Sequence, residues 1–204
     1  MRFIKMSWID QVNRECSWIK IYYGVLANVI NEKGFQDVLE IGVAYGGHAD
    51  DILTRTNCNY TGIDPYLASY DPRDAFDKDV HRIMGGRDKQ HSMDLLYQGV
   101  LDRLSRFGDR CNLDRKKSSD AALLLAGEKE FDLVFIDGNH QYNAVLMDIE
   151  LYWPLIKSGG MMAGDDYDWP GVKKAVHEFA GRNGLTVQRM KDNAGKPGHW
   201  FFNK

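Results

Sequence analysis

The strongest constraint on this chain is an alternation. From Asp37 to Gly164, five short apolar segments are separated by stretches with helical periodicity. The segments are Asp37–Ile41, Asn59–Ile63, Arg110–Asp114, Asp132–Ile136 and Gly160–Gly164; the helical stretches lie at about 47–55, 92–107, 119–127 and 141–153. Parallel strands must be joined by a long crossover, and a helix is the usual one. The alternation therefore predicts an α/β fold with a doubly wound, mostly parallel sheet and helices on both faces. Asp132–Ile136 (DLVFI) fits this, because strands buried on both faces read as continuous apolar runs.

Beyond Pro170 a helix over about 171–182 leads to Leu185–Arg189 and His199–Asn203, two strands near the C-terminal end that predict an antiparallel edge hairpin. Seven strands result, in a single domain spanning 1–204. That length suits one core. A helix over about 7–33 precedes the sheet: Trp18, Ile21, Val25 and Val29 recur at three- and four-residue steps, and Gly34 supplies the stop. The stretch over about 65–91 breaks the alternation. It is polar, rich in Asp and Arg, and contains Gly85-Gly86, which marks it as an insertion near the ligand and a candidate lid.

Composition narrows the partners. A net charge of −3 gives no basic surface for nucleic acid. Cys16, Cys58 and Cys111 are odd in number and far apart. They match neither a disulfide framework nor a zinc ligand set, which fits a reducing cytoplasm. The opening MRFIKMSWIDQ lacks the apolar core of a signal peptide. No apolar run approaches the roughly 18 residues of a membrane-spanning helix. The expectation is a cytoplasmic protein with neither a membrane nor a nucleic-acid partner.

Strand one runs into Glu40-Ile41-Gly42-Val43-Ala44-Tyr45-Gly46-Gly47 and then into a helix. Glycines at such a turn admit a ligand where a Cβ would block it. The spacing is not the G-x-G-x-x-G that seats a pyrophosphate on a helix N-terminus. A carboxylate at Glu40 repels a diphosphate but suits a sulfonium or an amino group. Strand two ends at Asp64, about 20 residues after the turn, where an acid is placed to take both ribose hydroxyls. A ligand-free glycine turn, with Asp64 as a turn residue before Pro65, is the plainer alternative.

Strand four ends in Asp137-Gly138-Asn139-His140 and strand five in Asp165-Asp166-Tyr167-Asp168-Trp169-Pro170. Open α/β sheets bind ligands outside the carboxyl ends of their strands, so Asp137, Asp165 and Asp166 should gather on the edge that carries the glycine turn. Three converging carboxylates raise one another's pKa unless a cation intervenes. No Lys or Arg stands within these motifs. A hard divalent cation takes oxygen ligands and keeps positions open for substrate. Capping of the helix near Pro170 explains one acid of the pair and leaves the other unexplained. His140, at a helix start, is suited to take a proton near neutral pH. The other five histidines have no comparable neighbourhood, although His81 and His91 lie in the 65–91 insertion, within reach of a substrate.

VLEIGVAYGG followed by YTGIDPY resembles motif I and the acidic strand end of class I methyltransferases, which use S-adenosyl-L-methionine (SAM) on a Rossmann-like sheet. The resemblance implies that Gly42 and Gly46 approach the methionine part, that Glu40 and Asp137 border the cofactor, and that Asp64 takes the ribose. It places Ser118, Ser119 or Asp120 beside the adenine, with simple N-capping as the alternative. The run IDGNHQYNAVLMDIELYWPLIKSGGMMAGDDYDWPGVKKAVHEF is similar to the macrocin-type O-methyltransferases, which modify sugar and other hydroxyls. In that branch the aspartate after strand four and the acidic pair after strand five hold Mg2+. This implies Asp137, Asp165 and Asp166 as ligands, with Asp137 or His140 as the base. The implied function is metal-assisted methylation of a small-molecule or glycan hydroxyl, with room for a homo-oligomer. Two alternatives share the fold: a catechol- or phenol-directed enzyme, typically with Asp-Asn after strand five, and a non-catalytic SAM- or metabolite-binding protein.

Overall fold

The computed structural model describes residues 7–15, 23–70, 75–193, 195 and 198–204. One sheet holds β1 (Asp37–Ile41), β2 (Asn59–Ile63), β3 (Cys111–Asp114), β4 (Phe131–Ile136), β5 (Ile156–Gly164), β6 (Gln188–Met190) and β7 (His199–Asn203). Their order is β3-β2-β1-β4-β5-β7-β6; β1 to β5 run parallel, and β7 is antiparallel to both its neighbours. The doubly wound sheet and the antiparallel C-terminal strands are thus as expected. β5 starts earlier than its apolar segment, at Ile156, which pairs with Phe131 before the register shifts ahead of Leu133.

The described helices are α1 (Trp8–Glu15), α2 (Val25–Lys33), α3 (Gly47–Arg55), α4 (Phe76–Met84), α5 (Lys89–Leu104), α6 (Ser118–Leu125), α7 (Tyr142–Tyr152) and α8 (Pro170–Asn183). None of them is long and apolar enough to cross a membrane. The continuous helix expected over about 7–33 is not observed. Gly24, at φ 83, takes a left-handed turn that no helix interior accepts, and α2 starts after it. Residues 16–22 of that expectation, including Cys16, lie outside the described residues. The 65–91 stretch, of which 71–74 are likewise outside, is more than a polar excursion. Its helix α4 buries Val80 and Ile83, three residues apart, against the core.

The core has two halves, one on each face of the sheet, and the strands divide between them with the period of two that a pleated strand imposes. Val38, Leu133, Phe135, Met161 and Ala163 face Leu26, Ile52, Leu96 and Val100 from α2, α3 and α5. Leu39, Ile41, Val134, Ile136 and Met162 face Ala121, Val145, Ile149 and Val176 from α6, α7 and α8. Strand register then determines what stands at the rim. Ile41 pairs with Ile63 and with Ile136, and Ile136 pairs with Gly164. Gly42, Asp64, Asp137 and Asp165 are each the next residue, so all four leave the sheet at one level. The chain reverses its winding between β1 and β4, the switch point at which open α/β sheets bind ligands.

Candidate active site

At that switch point lies a cavity of about 360 Å³, with Gly42, Asp64, Ser118, Asp137, His140, Asp165 and Asp166 in its lining. Its glycine turn is held from β2. Asp64 Oδ2 accepts the backbone N–H groups of Val43 and Ala44 at 3.1 and 3.0 Å, and Oδ1 accepts that of Tyr66 at 2.8 Å. Ala44 and Tyr66 both sit at positive φ, 48° and 46°, so the carboxylate fixes two strained residues at once. Burial raises the Asp64 pKa, while these three N–H groups pull it down. A carboxylate has about four lone-pair sites, so Asp64 keeps capacity for a ligand hydroxyl.

The two turn glycines differ in role. Gly42, at φ 92, lines the cavity, but an added Cβ would stand 2.0 Å from the Asp137 carbonyl oxygen. Its missing side chain lets β1 and β4 cross closely. Gly46, expected at the cofactor, does not line the cavity; a Cβ there would meet Val100 of α5 at 2.8 Å, so it is a packing glycine. Ser118 and Ser119 also part company. Ser118 is buried in the cavity wall, whereas Ser119 points away and pairs with Asp120, because one residue turns a helix by about 100°.

The acid pole lies across the cavity mouth of β4 and β5. One atom each from Asp137, His140 and Asp166 come within 4.8 Å of one another. His140 Nε2 is 3.6 Å from Asp137 Oδ1 and 2.7 Å from Asp166 Oδ2, and Trp169 stacks on the imidazole with ring centroids 4.9 Å apart. Burial works against charging His140, but hydrogen bonding and charge from Asp137 and Asp166 outweigh it and raise the ring to about 10. Asp166 is itself left-handed, at φ 52. That turn sends the consecutive acids apart, and Asp165 is not part of the three-residue cluster. It lies deeper, with Oδ1 3.5 Å from His199 Nε2, and burial together with the charges of Asp137 and Asp166 lifts it to about 8.

Two further histidines belong to this neighbourhood, contrary to expectation. His48, in the first turn of α3, sets Nδ1 2.6 Å from Glu40 Oε1 in the cavity wall. Burial disfavours its charge, but Glu40 wins and its pKa rises. Glu40 also accepts the Tyr60 hydroxyl, so both its oxygens have protein partners before any cationic ligand arrives. His199, buried on β7, is lowered to about 4 by burial and by the charge of His48. His81 and His91 contact Ser92 and Arg87 instead, and neither lines the cavity.

The arrangement meets the requirements of a hard cation. Its candidate donors are carboxylate oxygens and one imidazole, and the ring can ligate only after giving up the proton that Asp137 and Asp166 hold on it. His140 Nε2 approaches both Asp137 Oδ1 and Asp166 Oδ2, and buried Asp165 Oδ1 has no hydrogen-bond partner.

A family model described as a methyltransferase domain matches residues 39–167, from β1 to the turn after β5. The chain belongs to this methyltransferase family. The uncharacterized protein R132 of Acanthamoeba polyphaga mimivirus is 27% identical to this methyltransferase over 170 residues, which cover 78% of this chain and 66% of R132. The chain thus spans just under two thirds of that relative's length. Solved structures share the fold at low identity. The O-methyltransferase of Bacillus cereus, determined with S-adenosylhomocysteine (SAH), is 14% identical with a TM-score of 0.62, covering 100% of this chain and 94% of that one. TomG of Streptomyces achromogenes, determined with SAM, is 14% identical with a TM-score of 0.62, covering 100% and 92%. The calicheamicin methyltransferase CalS11 is 16% identical with a TM-score of 0.63, covering 96% and 82%.

Proposed function

We propose that this methyltransferase moves a methyl group from SAM to a hydroxyl oxygen of a sugar, glycan or other small acceptor, with a divalent cation, Mg2+ first among candidates, at the acid pole. The observation that carries the reading is a single cavity in which a β1–α3 glycine turn meets the Asp137–His140–Asp166 cluster. Structural neighbours solved with SAM and SAH, and one that methylates TDP-rhamnose, support it.

SAM supplies an electrophilic methyl group when bound, and displacement then requires alignment and a deprotonated acceptor. Asp137 and Asp166 would hold the ion, with His140 or Asp165 beside them; a bound cation lowers the pKa of a coordinated hydroxyl. Asp64 and the Gly42 turn fix the nucleoside side of the cavity. Asp137 or His140 would take the acceptor's proton, and the His140 ring is held for it by Trp169 and by both aspartates. That ring takes a proton only once the charge of Asp137 and Asp166 is engaged elsewhere, because those carboxylates keep the ring protonated.

The test is methyl transfer from labelled SAM to a panel of sugar diols and catechols, with Mg2+ or with EDTA. Transfer to a sugar or other small hydroxyl, abolished by EDTA and by Asp166→Ala while SAH still binds, is expected. Full activity in EDTA refutes the metal, and transfer to catechols alone refutes the acceptor class. Absence of SAH binding refutes the donor.

A further inference from the structure

The acid pole accounts for Asp137, Asp165 and Asp166, and Asp64 is tied to the glycine turn. One buried acid in the same cavity has no such role. Asp148 of α7 is 3% exposed, lines the cavity, and its Oδ1 has no hydrogen-bond partner. Among the described residues it caps no helix and pairs with no basic side chain. Burial lifts its carboxyl to about 7, and the neighbouring Ser118 side chain pulls it the other way.

Its placement indicates what it meets. Ala144, Asp148 and Tyr152 are four residues apart and share one face of α7. Ala144 and Asp148 border the cavity, with alanine leaving space for a ring, and the Tyr152 hydroxyl donates to the Ser118 carbonyl at 2.8 Å. That bond ties this face of α7 to the first residue of α6. Its neighbour Ser118 opens α6 after β3, and Tyr70 feels the charges of both Asp148 and Asp64, whereas the cation cluster stands beyond the ends of β4 and β5. Asp148 therefore stands on the Asp64 side of the cavity, away from the cation cluster. A carboxyl that keeps its proton there both accepts and donates, as an amide does. That pattern matches an amino group beside an unprotonated ring nitrogen, the Watson–Crick edge of adenine.

We propose that Asp148 reads the amino edge of the donor's adenine, which makes α7 a specificity element for the nucleoside. This rests on the SAM reading above. The experiment is calorimetric titration of the full chain with SAH and with its 6-deamino analogue, in which hydrogen replaces the adenine amino group. Wild type should prefer SAH by about tenfold or more, because the analogue leaves a buried acceptor unpaired. Asp148→Leu should lose that preference, and Asp148→Asn, which keeps an acceptor and a donor, should retain it. A wild-type protein that binds both compounds equally overturns the proposal, and so does an Asp148→Leu protein with the wild-type preference. Should Asp148→Leu not fold, the wild-type and Asp148→Asn titrations still decide. A wild type that binds neither compound removes the donor reading itself, a different result from binding without discrimination.

Discussion

Gly42→Ala tests whether the close crossing of β1 and β4 underlies both stability and the site. The residue sits at φ 92, and left-handed backbone costs an alanine about 1–2 kcal/mol. The new Cβ would lie 2.0 Å from the Asp137 carbonyl oxygen, 2.5 Å from its carbon and 2.9 Å from Gly138 Cα. These are backbone atoms and cannot rotate aside, so the end of β4 must retreat by about 1 Å to reach the 3.0 Å below which real contacts essentially do not occur. The bond from Asp137 N to Ile41 O, now 2.8 Å, lies in the path of that movement. Its weakening adds about 1 kcal/mol. A total of about 2–4 kcal/mol lowers the melting temperature by roughly 5–15 °C in a chain of this size. Calorimetric melts, with SAH titration in parallel, should show the drop together with weaker binding. Gly181→Ala is the control: a Cβ there meets nothing within 4 Å and α8 gains helix propensity, so the melt should rise by about 2–4 °C. A Gly42→Ala protein that melts within about 2 °C of wild type and binds SAH normally refutes the reasoning.

Asp64→Ala removes the acceptor for three backbone N–H groups and releases Ala44 and Tyr66; SAH affinity should fall by at least about tenfold, with a destabilisation of about 2–4 kcal/mol measured by urea unfolding. Asp148 makes the ligand-free protein less stable as pH rises. Its folded pKa of about 7 lies above the ordinary 3.8, so its full contribution is present below about pH 4 and is lost by about pH 7. Relative to wild type, Asp148→Asn should therefore gain melting temperature steadily from pH 4 to 7 and no further, up to about 4 kcal/mol; a flat difference refutes the assignment. Trp169 is half exposed over His140. Trp169→Ala should raise the acceptor KM severalfold and leave SAH affinity unchanged, as steady-state kinetics and calorimetry would show.

The strands were legible because β1, β2 and β4 are short apolar runs with turn residues after them. The rim acids followed from the same reading, since Asp64, Asp137 and Asp165 each come directly after an apolar strand. What depends on distant pairing was not legible. His199 stands beside Asp165 only because β7 inserts antiparallel along β5, with Gly164 opposite Trp200. His48 reaches Glu40 only once α3 packs back over β1, and eight residues of sequence separation do not reveal that. Polar composition concealed α4, although Val80 and Ile83 carried the spacing of a buried helical face. The division of labour between Gly42 and Gly46, and between Ser118 and Ser119, depends on which way one residue faces, which composition does not encode.

The separation of Asp165 from Asp166 is the step that converts a run of acids into a site, and it depends on the left-handed turn at Asp166. An extended residue 166 would carry its side chain to the strand face opposite Asp165, whereas the turned one sets Oδ2 2.7 Å from His140 Nε2. The backbone strain is of order 1–3 kcal/mol, and Asp tolerates it better than most residues because a short polar side chain can bond locally. A substitution series separates this strain from the charge. In EDTA, Asp166→Gly should melt above Asp166→Ala by about 1–2 kcal/mol, equivalent to roughly 2–8 °C, with Asp166→Asn between them. Added Mg2+ should raise the wild-type melt most, Asp166→Asn less, and the Gly and Ala variants least, since a ligand stabilises in proportion to its affinity for the folded state. If Gly, Asn and Ala melt together, the turn is unstrained; if Mg2+ lifts all four proteins equally, Asp166 does not hold the ion.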